Sequence, residues 1–228
     1  MGKQATVRME DLRIVFLGAP GAGKGTQAAL LAERVGLAHV STGDLFRAAV
    51  ESGSPLGQQV AAIMDGGDLV PDDLVLDLLF AHLEGTDASS YVLDGFPRTL
   101  GQAQALEERL GGEPDRVIFF DAPADVLVAR LTGRRTCRAC KANYHVDFRP
   151  STTDGVCDAC GGGLIQRPDD TEEAVLNRLR VYEQETEPLR DHYATRDRLV
   201  TIPADRPVDD IYRDLSATLA RVRVAETG

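Results

Sequence analysis

The sequence predicts an α/β fold in which a parallel sheet of five strands is covered by helices on both faces. Three observations support this prediction. A glycine-rich loop joins an apolar strand to a helix near the N-terminus, and short apolar runs then alternate with helix-forming stretches. The chain has 228 residues, 43% of them hydrophobic, which suffices for one such domain with an insertion. Strands that alternate with helices pair in parallel, because each return to the sheet needs a crossover.

The glycine-rich loop begins at Gly18, directly after the first apolar strand. Its glycines let backbone N–H groups converge on an anion, and the start of the following helix adds its positive dipole end. Lys24 supplies a mobile full charge. The spacing Gly18-x4-Gly23-Lys24 fits the P-loop pattern, except that Gly25 stands where that pattern has Ser or Thr. A chance glycine-rich turn is the alternative, which Lys24 and the flanking elements disfavour.

The remaining elements follow in a regular order. We expect strands at about 12–17, 37–40, 91–94, 116–120 and 198–202. We expect helices at about 27–34, 44–52, 56–65, 74–83, 100–109, 123–132, 171–193 and 208–222. Residues 1–11 form a polar extension, and residues 133–170 break the alternation as a loop-rich segment. Ligands should bind at the carboxyl ends of the strands, where the sequence places Gly18, Thr42, Asp94 and Asp121.

All four cysteines lie in the loop-rich segment, as two Cys-x2-Cys pairs: Cys137, Cys140, Cys157 and Cys160. Four thiolates suit a tetrahedral zinc site, and a site with four protein ligands is structural because no position is left open for catalysis. A disulfide pair or a redox role is the alternative, but a cytosolic chain disfavours the disulfide and two copies do not suit the redox role. Iron, cobalt or cadmium could occupy the same thiolates.

Charge and hydropathy limit the partners and the location. The formal net charge is −11, which disfavours binding to nucleic acid or to an anionic membrane. No apolar run approaches the ~18 residues of a membrane span, and the N-terminus lacks a signal-peptide core. A cytoplasmic location is the expectation.

Five separated motifs together resemble the adenylate kinases, in the long-lid, zinc-containing form of these P-loop nucleoside monophosphate kinases. They are 18–26, 41–47, 94–99, 133–135 with the four cysteines, and 167–170 with Arg178. The resemblance runs from Leu12 to the last helix. It implies a three-layer P-loop fold with a helical nucleoside monophosphate (NMP)-binding insertion and a zinc-bearing lid. The implied parts are a core of 12–40, 71–132 and 171–228, an NMP-binding part of 41–70 and a lid of 133–170.

The resemblance also implies the reaction ATP + AMP ⇌ 2 ADP with Mg2+. We expect a monomer, and the acidic charge predicts that it binds neither nucleic acid nor membrane. Its implied catalytic residues are Lys24, Arg47, Arg98, Arg134, Arg167 and Arg178. The implied ATP site is Gly21, Ala22, Gly23, Lys24, Gly25, Thr26, Arg130, Arg134, Asn143, Tyr144 and Arg206. The implied AMP site is Thr42, Arg47, Asp68, Leu69, Val70, Gly95, Arg98, Gln102, Arg167 and Arg178. Asp94 and Asp44 would hold Mg2+ through water.

These residue types suit phosphoryl transfer. The guanidinium fork binds phosphate oxygens bidentately and stays charged, and an AMP phosphate is already anionic, so no general base is required. We therefore expect the four histidines, His39, His82, His145 and His192, to be surface or core residues. A Gln102 amide can both donate and accept, which matches an adenine edge; an exposed helix residue is the alternative. Asp44 could instead be a helix N-terminal charge.

Three other functions fit parts of the sequence. A UMP/CMP kinase, or an AMP kinase that uses GTP, would share the loop and arginines, although Gln102 and the long zinc lid argue against a pyrimidine acceptor. A zinc-ribbon nucleic-acid binder with a regulatory nucleotide site is disfavoured by the acidic balance. A P-loop GTPase is disfavoured because the sequence has no Asn-Lys-x-Asp stretch.

Overall fold

The computed structural model describes residues 12–86 and 89–226, so the predicted N-terminal extension lies outside the described residues. The strands are β1 (Arg13–Leu17), β2 (Ala38–Ser41), β3 (Tyr91–Asp94), β4 (Arg116–Asp121), β5 (Arg134–Cys137), β6 (Asn143–His145), β7 (Leu164–Ile165) and β8 (Leu199–Pro203). The α-helices are α1 (Lys24–Val35), α2 (Thr42–Glu51), α3 (Pro55–Gly66), α4 (Asp72–Glu84), α5 (Leu100–Leu110), α6 (Ala124–Thr132), α7 (Glu172–Val181), α8 (Leu189–Ala194) and α9 (Val208–Glu226).

The main sheet has five parallel strands in the order β2-β3-β1-β4-β8. Its existence, its parallel pairing and the positions of its strands confirm the predicted fold. The register aligns Ser41 and Phe16 with Asp94, on the two neighbours of β3. The carboxyl ends of these strands therefore meet at one edge of the sheet, next to the loop that follows β1.

Helices cover the sheet on both faces. On one face Ile14 and Phe16 pack with residues of α1 and α9. On the other face Val15 and Leu17 pack with residues of α4, α5 and α8. These four residues of β1 are at most 3% exposed, which is expected of a central strand in a sheet buried on both sides. The three-layer architecture follows from this alternation.

The segment between α6 and α7 differs from the loop-rich prediction. It contains a three-stranded antiparallel sheet in the order β6-β5-β7. Its small core consists of Cys137, Tyr144 and Cys157, with Ala142 and Leu164 packed against it. The strands are two to four residues long, and such short strands give almost no hydrophobic periodicity in the sequence.

The long helix predicted at 171–193 is interrupted. α7 ends at Val181, a π-helical turn follows at Tyr182–Thr186, and α8 begins at Leu189 after Pro188. Proline lacks the N–H that a continuous helix needs at this point. The amide of Glu187 instead donates to the carbonyl of Tyr182 at 2.9 Å, five residues back. Such π turns inside helices frequently occur at functional sites.

None of the helices within 12–86 and 89–226 combines the length and the apolar character needed to cross a membrane.

Candidate active site

The glycine-rich loop places the ammonium group of Lys24 beside backbone carbonyls. Gly18 has a φ of +133°, and a Cβ there would lie 2.5 Å from the carbonyl oxygen of Phe120, so glycine is required. Lys24 Nζ donates hydrogen bonds to the carbonyls of Gly18 at 2.7 Å and Ala19 at 3.0 Å. Burial lowers the pKa of Lys24 to about 8, although the charge of Asp94 acts in the opposite direction. A cation held by neutral partners is well suited to bind phosphate oxygens.

Asp94 ends β3, and its carboxylate borders the loop. Asp94 Oδ2 lies 3.2 Å from His39 Nε2. Burial would raise the pKa of Asp94, but the hydrogen bond with His39 and the charge of Lys24 outweigh it, so the pKa is lowered. A Cβ at Gly25 would lie 3.1 Å from Asp94 Oδ2. The carboxylate therefore takes the space beside the loop that the Ser or Thr of the usual pattern would need.

Two arginines share one buried carboxylate. Arg134, on β5, contacts Asp170 with two hydrogen bonds, Nε to Oδ2 at 2.8 Å and Nη2 to Oδ1 at 2.5 Å. Arg178, on α7, donates to the same Oδ1 at 3.1 Å and lies 3.1 Å from Asp169 Oδ2. The side chain of Asp170 is 0% exposed. Burial would raise the pKa of Asp169, but the nearby arginines, Arg178 first, hold it below its usual range.

Arg98 and Arg167 have mainly neutral hydrogen-bond partners. Arg98 Nε donates to the carbonyl of Gly95 at 2.8 Å. Arg167 donates to Thr136 Oγ1 at 3.0 Å and to Asn143 Oδ1 at 3.2 Å. Burial, reinforced by neighbouring arginines, lowers the pKa of Arg98 to about 10 and that of Arg167 to about 10. Each guanidinium is thus disfavoured by neighbouring arginines, Arg47 among them. An anion bound among these cations would stabilise them.

Arg47 pairs with Asp44 within α2, through Nη2 to Oδ1 at 2.6 Å and Nε to Oδ1 at 3.2 Å. Burial would raise the pKa of Asp44, but the charge and hydrogen bond of Arg47 outweigh it. The backbone N–H of Asp44 donates to Ser41 Oγ, the N-cap of this helix. Asp44 thus already serves as a charge in the first turn of α2, the alternative that the sequence left open.

Two adjoining cavities receive these side chains. The predicted ATP-site residues all line the larger cleft, together with Asp44, Asp94 and Arg167. The other predicted AMP-site residues line the smaller cavity: Thr42, Arg47, Asp68, Leu69, Val70, Gly95, Arg98, Gln102 and Arg178. Three arginines line both cavities, namely Arg47, Arg98 and Arg178. The positive charges that could neutralise two phosphate groups are therefore concentrated where the cavities join.

A family model described as "Adenylate kinase" matches residues 16–198 of this chain. The chain belongs to the adenylate kinase family. It is 47% identical over 214 residues to an adenylate kinase of Thermodesulfovibrio yellowstonii, covering 92% of this chain and 100% of that relative. It is 45% identical over 214 residues to an adenylate kinase of Carboxydothermus hydrogenoformans, with the same coverage. An adenylate kinase of Trichlorobacter lovleyi is 47% identical over 212 residues, with 91% and 99% covered.

This member of the adenylate kinase family carries four cysteines in a geometry that fits zinc. Their sulfur atoms all lie within 4.8 Å of one another. Cys137–Cys160 and Cys140–Cys157 are each 3.5 Å apart, close to the ~3.8 Å edge of a tetrahedron with Zn–S of ~2.3 Å. A hydrogen bond with the Tyr144 hydroxyl lowers the pKa of Cys157 to about 6 and so favours the metal-binding thiolate. All four cysteines are free, so the disulfide alternative is not seen.

Several polar groups of the predicted nucleotide sites already bind protein partners. Arg130 Nη1 donates to the carbonyl of Ala204 at 2.8 Å, and Arg206 pairs with Asp214 at 2.6 Å. The Gln102 side chain is 1% exposed, so the alternative of an exposed helix residue is wrong. The structure thus gathers the predicted residues of this family member around two cavities, and their individual ligand contacts stay predictions.

Three residues that hold the site in place were not predicted. His39 pairs with Asp94 and lines the larger cleft, unlike the surface or core position expected of it. Thr186, in the π turn, donates from Oγ1 to the carbonyl of Arg98 at 2.8 Å. Asp72 accepts a hydrogen bond from Gln102. His39 lies in the strand beside Asp94 and could have been found from the strand order, whereas Thr186 and Asp72 gave no signal.

Proposed function

We propose that this chain catalyses reversible transfer of a phosphoryl group from MgATP to AMP, giving two ADP. The chain belongs to the adenylate kinase family. The reaction of this family brings two polyanions together in one site. The observation that carries the assignment to this site is that Arg47, Arg98 and Arg178 line both cavities. Side chains in that position can contact an acceptor phosphate and a donor phosphate at once. An AMP kinase needs this arrangement, because positioning and charge neutralisation supply most of its rate acceleration.

On the donor side, the loop residues 21–26 would bind the ATP phosphates through backbone N–H groups, with Lys24 bridging the β- and γ-phosphates. Arg134, Arg167 and Arg178 would neutralise the group in transfer. Arg130 and Arg206 would lie near the adenosine, with Asn143 and Tyr144 closing from the lid.

On the acceptor side, Arg47 and Arg98 would bind the AMP phosphate. Thr42, Gln102 and the backbone of 68–70 would surround its adenine. An oxygen of that phosphate would attack the γ-phosphorus in line; the new O–P bond forms as the bond to the β,γ-bridging oxygen breaks, and ADP leaves. No proton has to be removed from the attacking oxygen, so the arginines and Lys24 would act by charge neutralisation and not as a general base.

Two metals belong to this proposal. Mg2+ bound with ATP supplies further charge neutralisation on the phosphates, and the ionised carboxylate of Asp94 suits a water ligand of that ion. Asp44 is the weaker candidate, since Arg47 already pairs with it. Zinc on Cys137, Cys140, Cys157 and Cys160 would be structural, holding together a lid with a very small apolar core.

We also propose that the NMP-binding part, 41–70, and the lid, 133–170, close over the core when both nucleotides are bound. Closure would exclude water and so prevent hydrolysis of ATP. The net charge of −11 supports a protein that binds neither nucleic acid nor an anionic membrane. We place it in the cytoplasm as a monomer.

An acceptor panel tests the proposal. Purified protein would be assayed with AMP, GMP, CMP or UMP as acceptor and with ATP or GTP as donor, with Mg2+ present throughout. ADP should form from AMP and ATP, and the pyrimidine monophosphates should be poor acceptors. No turnover of AMP with MgATP would refute the function, and a preference for UMP or CMP would favour the pyrimidine enzyme. Titration with DNA and RNA at low salt tests the nucleic-acid alternative.

A further inference from the structure

The side-chain amide of Gln102 is held between two groups of opposite hydrogen-bonding character. Its Oε1 accepts from the backbone N–H of Arg98 at 2.8 Å. Its Nε2 donates to Asp72 Oδ1 at 2.7 Å. A backbone N–H can only donate and a carboxylate can only accept, so these two neighbours fix which end of the amide is oxygen and which is nitrogen.

Asp72 is itself held by a second hydrogen bond. Its Oδ2 accepts from Thr99 Oγ1 at 2.7 Å, and Thr99 Oγ1 in turn accepts from the backbone N–H of Gln102 at 3.1 Å. Thr99 is the N-cap of α5, while Asp72 lies in the first turn of α4, where a carboxylate is favoured by the helix dipole. The three side chains therefore form a closed network between two helix N-termini.

Turning the amide over would be costly. It would place Nε2 against the N–H of Arg98 and Oε1 against the carboxylate of Asp72, so both hydrogen bonds would become repulsive contacts. Gln102 is 1% exposed, and water cannot compensate for bonds lost at such a buried site. The orientation of the amide is thus set by the protein before any ligand arrives.

The hydrogen-bonding groups of the amide that remain free determine which kind of purine it can bind. An amide has two hydrogens and two acceptor lone pairs, so one of each remains after these bonds. Gln102 lines the smaller cavity. A 6-amino purine offers a donor at its 6-position, which a fixed oxygen can accept. At N1 a 6-amino purine offers an acceptor, which the free hydrogen of the fixed Nε2 can serve. A 6-oxo purine reverses both positions, with an acceptor at position 6 and a donor at N1, so only an amide turned over could pair with both at once.

We propose that Asp72 is a specificity-determining positioning residue, which holds the Gln102 amide so that the acceptor cavity selects 6-amino over 6-oxo purine nucleoside monophosphates. This inference rests on the proposed function, because it takes the smaller cavity as the acceptor site. It goes beyond that function by assigning the selection to a carboxylate that reaches the base only through Gln102.

The test compares Asp72→Asn with Asp73→Asn. Asp73 is also in the first turn of α4 but is exposed, so its substitution makes the same change in charge without touching the network. Calorimetry without ATP would give the Kd of AMP and of IMP for each variant and for the wild-type protein. IMP differs from AMP in the 6-oxo group and the N1 proton, and it lacks the 2-amino group that makes GMP bulkier.

An Asn at position 72 can present either its oxygen or its nitrogen to Gln102, so one of the two repulsive contacts of the turned amide disappears. We expect the ratio of the IMP Kd to the AMP Kd to fall about tenfold in Asp72→Asn, the effect of one hydrogen bond to a charged group, and to stay unchanged in Asp73→Asn. Equal weakening of both ligands would indicate a merely structural role and would overturn the proposal, as would an unchanged ratio.

A second variant covers the case in which Asp72→Asn does not fold, as judged by circular dichroism at the assay temperature. Gln102→Leu removes the amide itself and should lower the same ratio at least as far; a retained ratio would overturn the proposal. Turnover of AMP with MgATP by the wild-type protein is measured separately. A protein that binds AMP selectively through Asp72 but does not phosphorylate it would refute the proposed function and leave this inference standing.

Discussion

Asp170 is the buried counter-charge of Arg134: two hydrogen bonds of 2.8 and 2.5 Å join them, and the carboxylate is 0% exposed. Arg134 belongs to β5 of the lid segment, whereas Asp170 directly precedes the N-cap of α7. The same carboxylate also accepts from Arg178. One side chain thus links β5 to α7 and keeps two arginines in place beside the cleft.

Asp170→Asn should therefore be strongly destabilising. The neutral amide leaves two partly buried guanidinium groups without this counter-charge, and breaking a buried ion pair from one side costs about 3 kcal/mol or more. Urea unfolding should show a loss of that size in the free energy of unfolding. Asp154→Asn is the matched control, because Asp154 is exposed in the same lid segment. Equal stability of the two variants would contradict the structural role of Asp170.

The charge state of Lys24 should limit activity at alkaline pH. Its pKa is lowered to about 8, so the ammonium is charged below that pH and loses its proton as the pH rises through it. The value of kcat/KM for MgATP reports the free enzyme and should fall about tenfold per pH unit above pH 8. Bound phosphates favour the charged form, so kcat should decline only at higher pH.

The matched variant is Lys24→Arg, which keeps a positive charge over this range. Whatever its absolute rate, its kcat/KM should not decline as the pH rises through 8. Circular dichroism at pH 9 checks that both proteins remain folded. Lys24→Met should lose nearly all transfer and stay folded. An identical alkaline limb in the wild-type protein and Lys24→Arg would assign the titration to another group.

Features that depend on a few adjacent residues were the most predictable from the sequence. The Gly18 loop, the five parallel strands and the four cysteines could be predicted, because a turn, an apolar run and a ligand spacing are each encoded in a few adjacent residues. The break after Val181 could not, since the residues of the π turn are ordinary helix formers and Pro188 alone does not fix its extent. The strands of the lid are too short for a pattern, and their core contains two of the cysteines.

The positions of the site residues were less predictable than their identity. Arg167 was expected with AMP, yet it lines only the larger of the two described cavities. Gln102 was expected to read adenine, but its orientation depends on Asp72, 30 residues away in sequence. Such contacts arise from tertiary packing, in which side chains from separate elements meet, and no single stretch of sequence records them.

Loss of the metal should affect the lid more than the chemistry. Cys137→Ser removes one of four thiolates at a site whose surrounding core has few apolar residues, and metal binding contributes directly to the folding of such small segments. Elemental analysis should find zinc in the wild-type protein and a much lower content in the variant, together with a lower melting temperature. Turnover at low temperature should suffer less.

Wild-type protein treated with a chelator is the control for this experiment, since it loses the metal with all four cysteines in place. It should melt like Cys137→Ser and should recover when zinc is restored, whereas the variant should not. Equal zinc content in the variant and in the untreated wild-type protein would defeat the assignment of Cys137 as a ligand.

Thr186 should act on AMP through Arg98. Its hydroxyl donates to the Arg98 carbonyl at 2.8 Å and is carried by the π turn, while the Arg98 guanidinium is predicted to bind the AMP phosphate. Thr186→Val keeps the shape but removes the donor, a change worth about 1 kcal/mol for a neutral hydrogen bond. We expect the KM for AMP to rise about fivefold, with little change in the KM for ATP, because the hydroxyl bonds to Arg98 and not to the loop proposed to bind ATP. Thr186→Ser retains the donor and should restore the AMP KM, which separates loss of the hydrogen bond from loss of packing.

The contrary outcome is a Thr186→Val variant with a lower melting temperature but unchanged KM values for AMP and ATP. Thr186 would then be a structural residue of the π turn without influence on the position of Arg98.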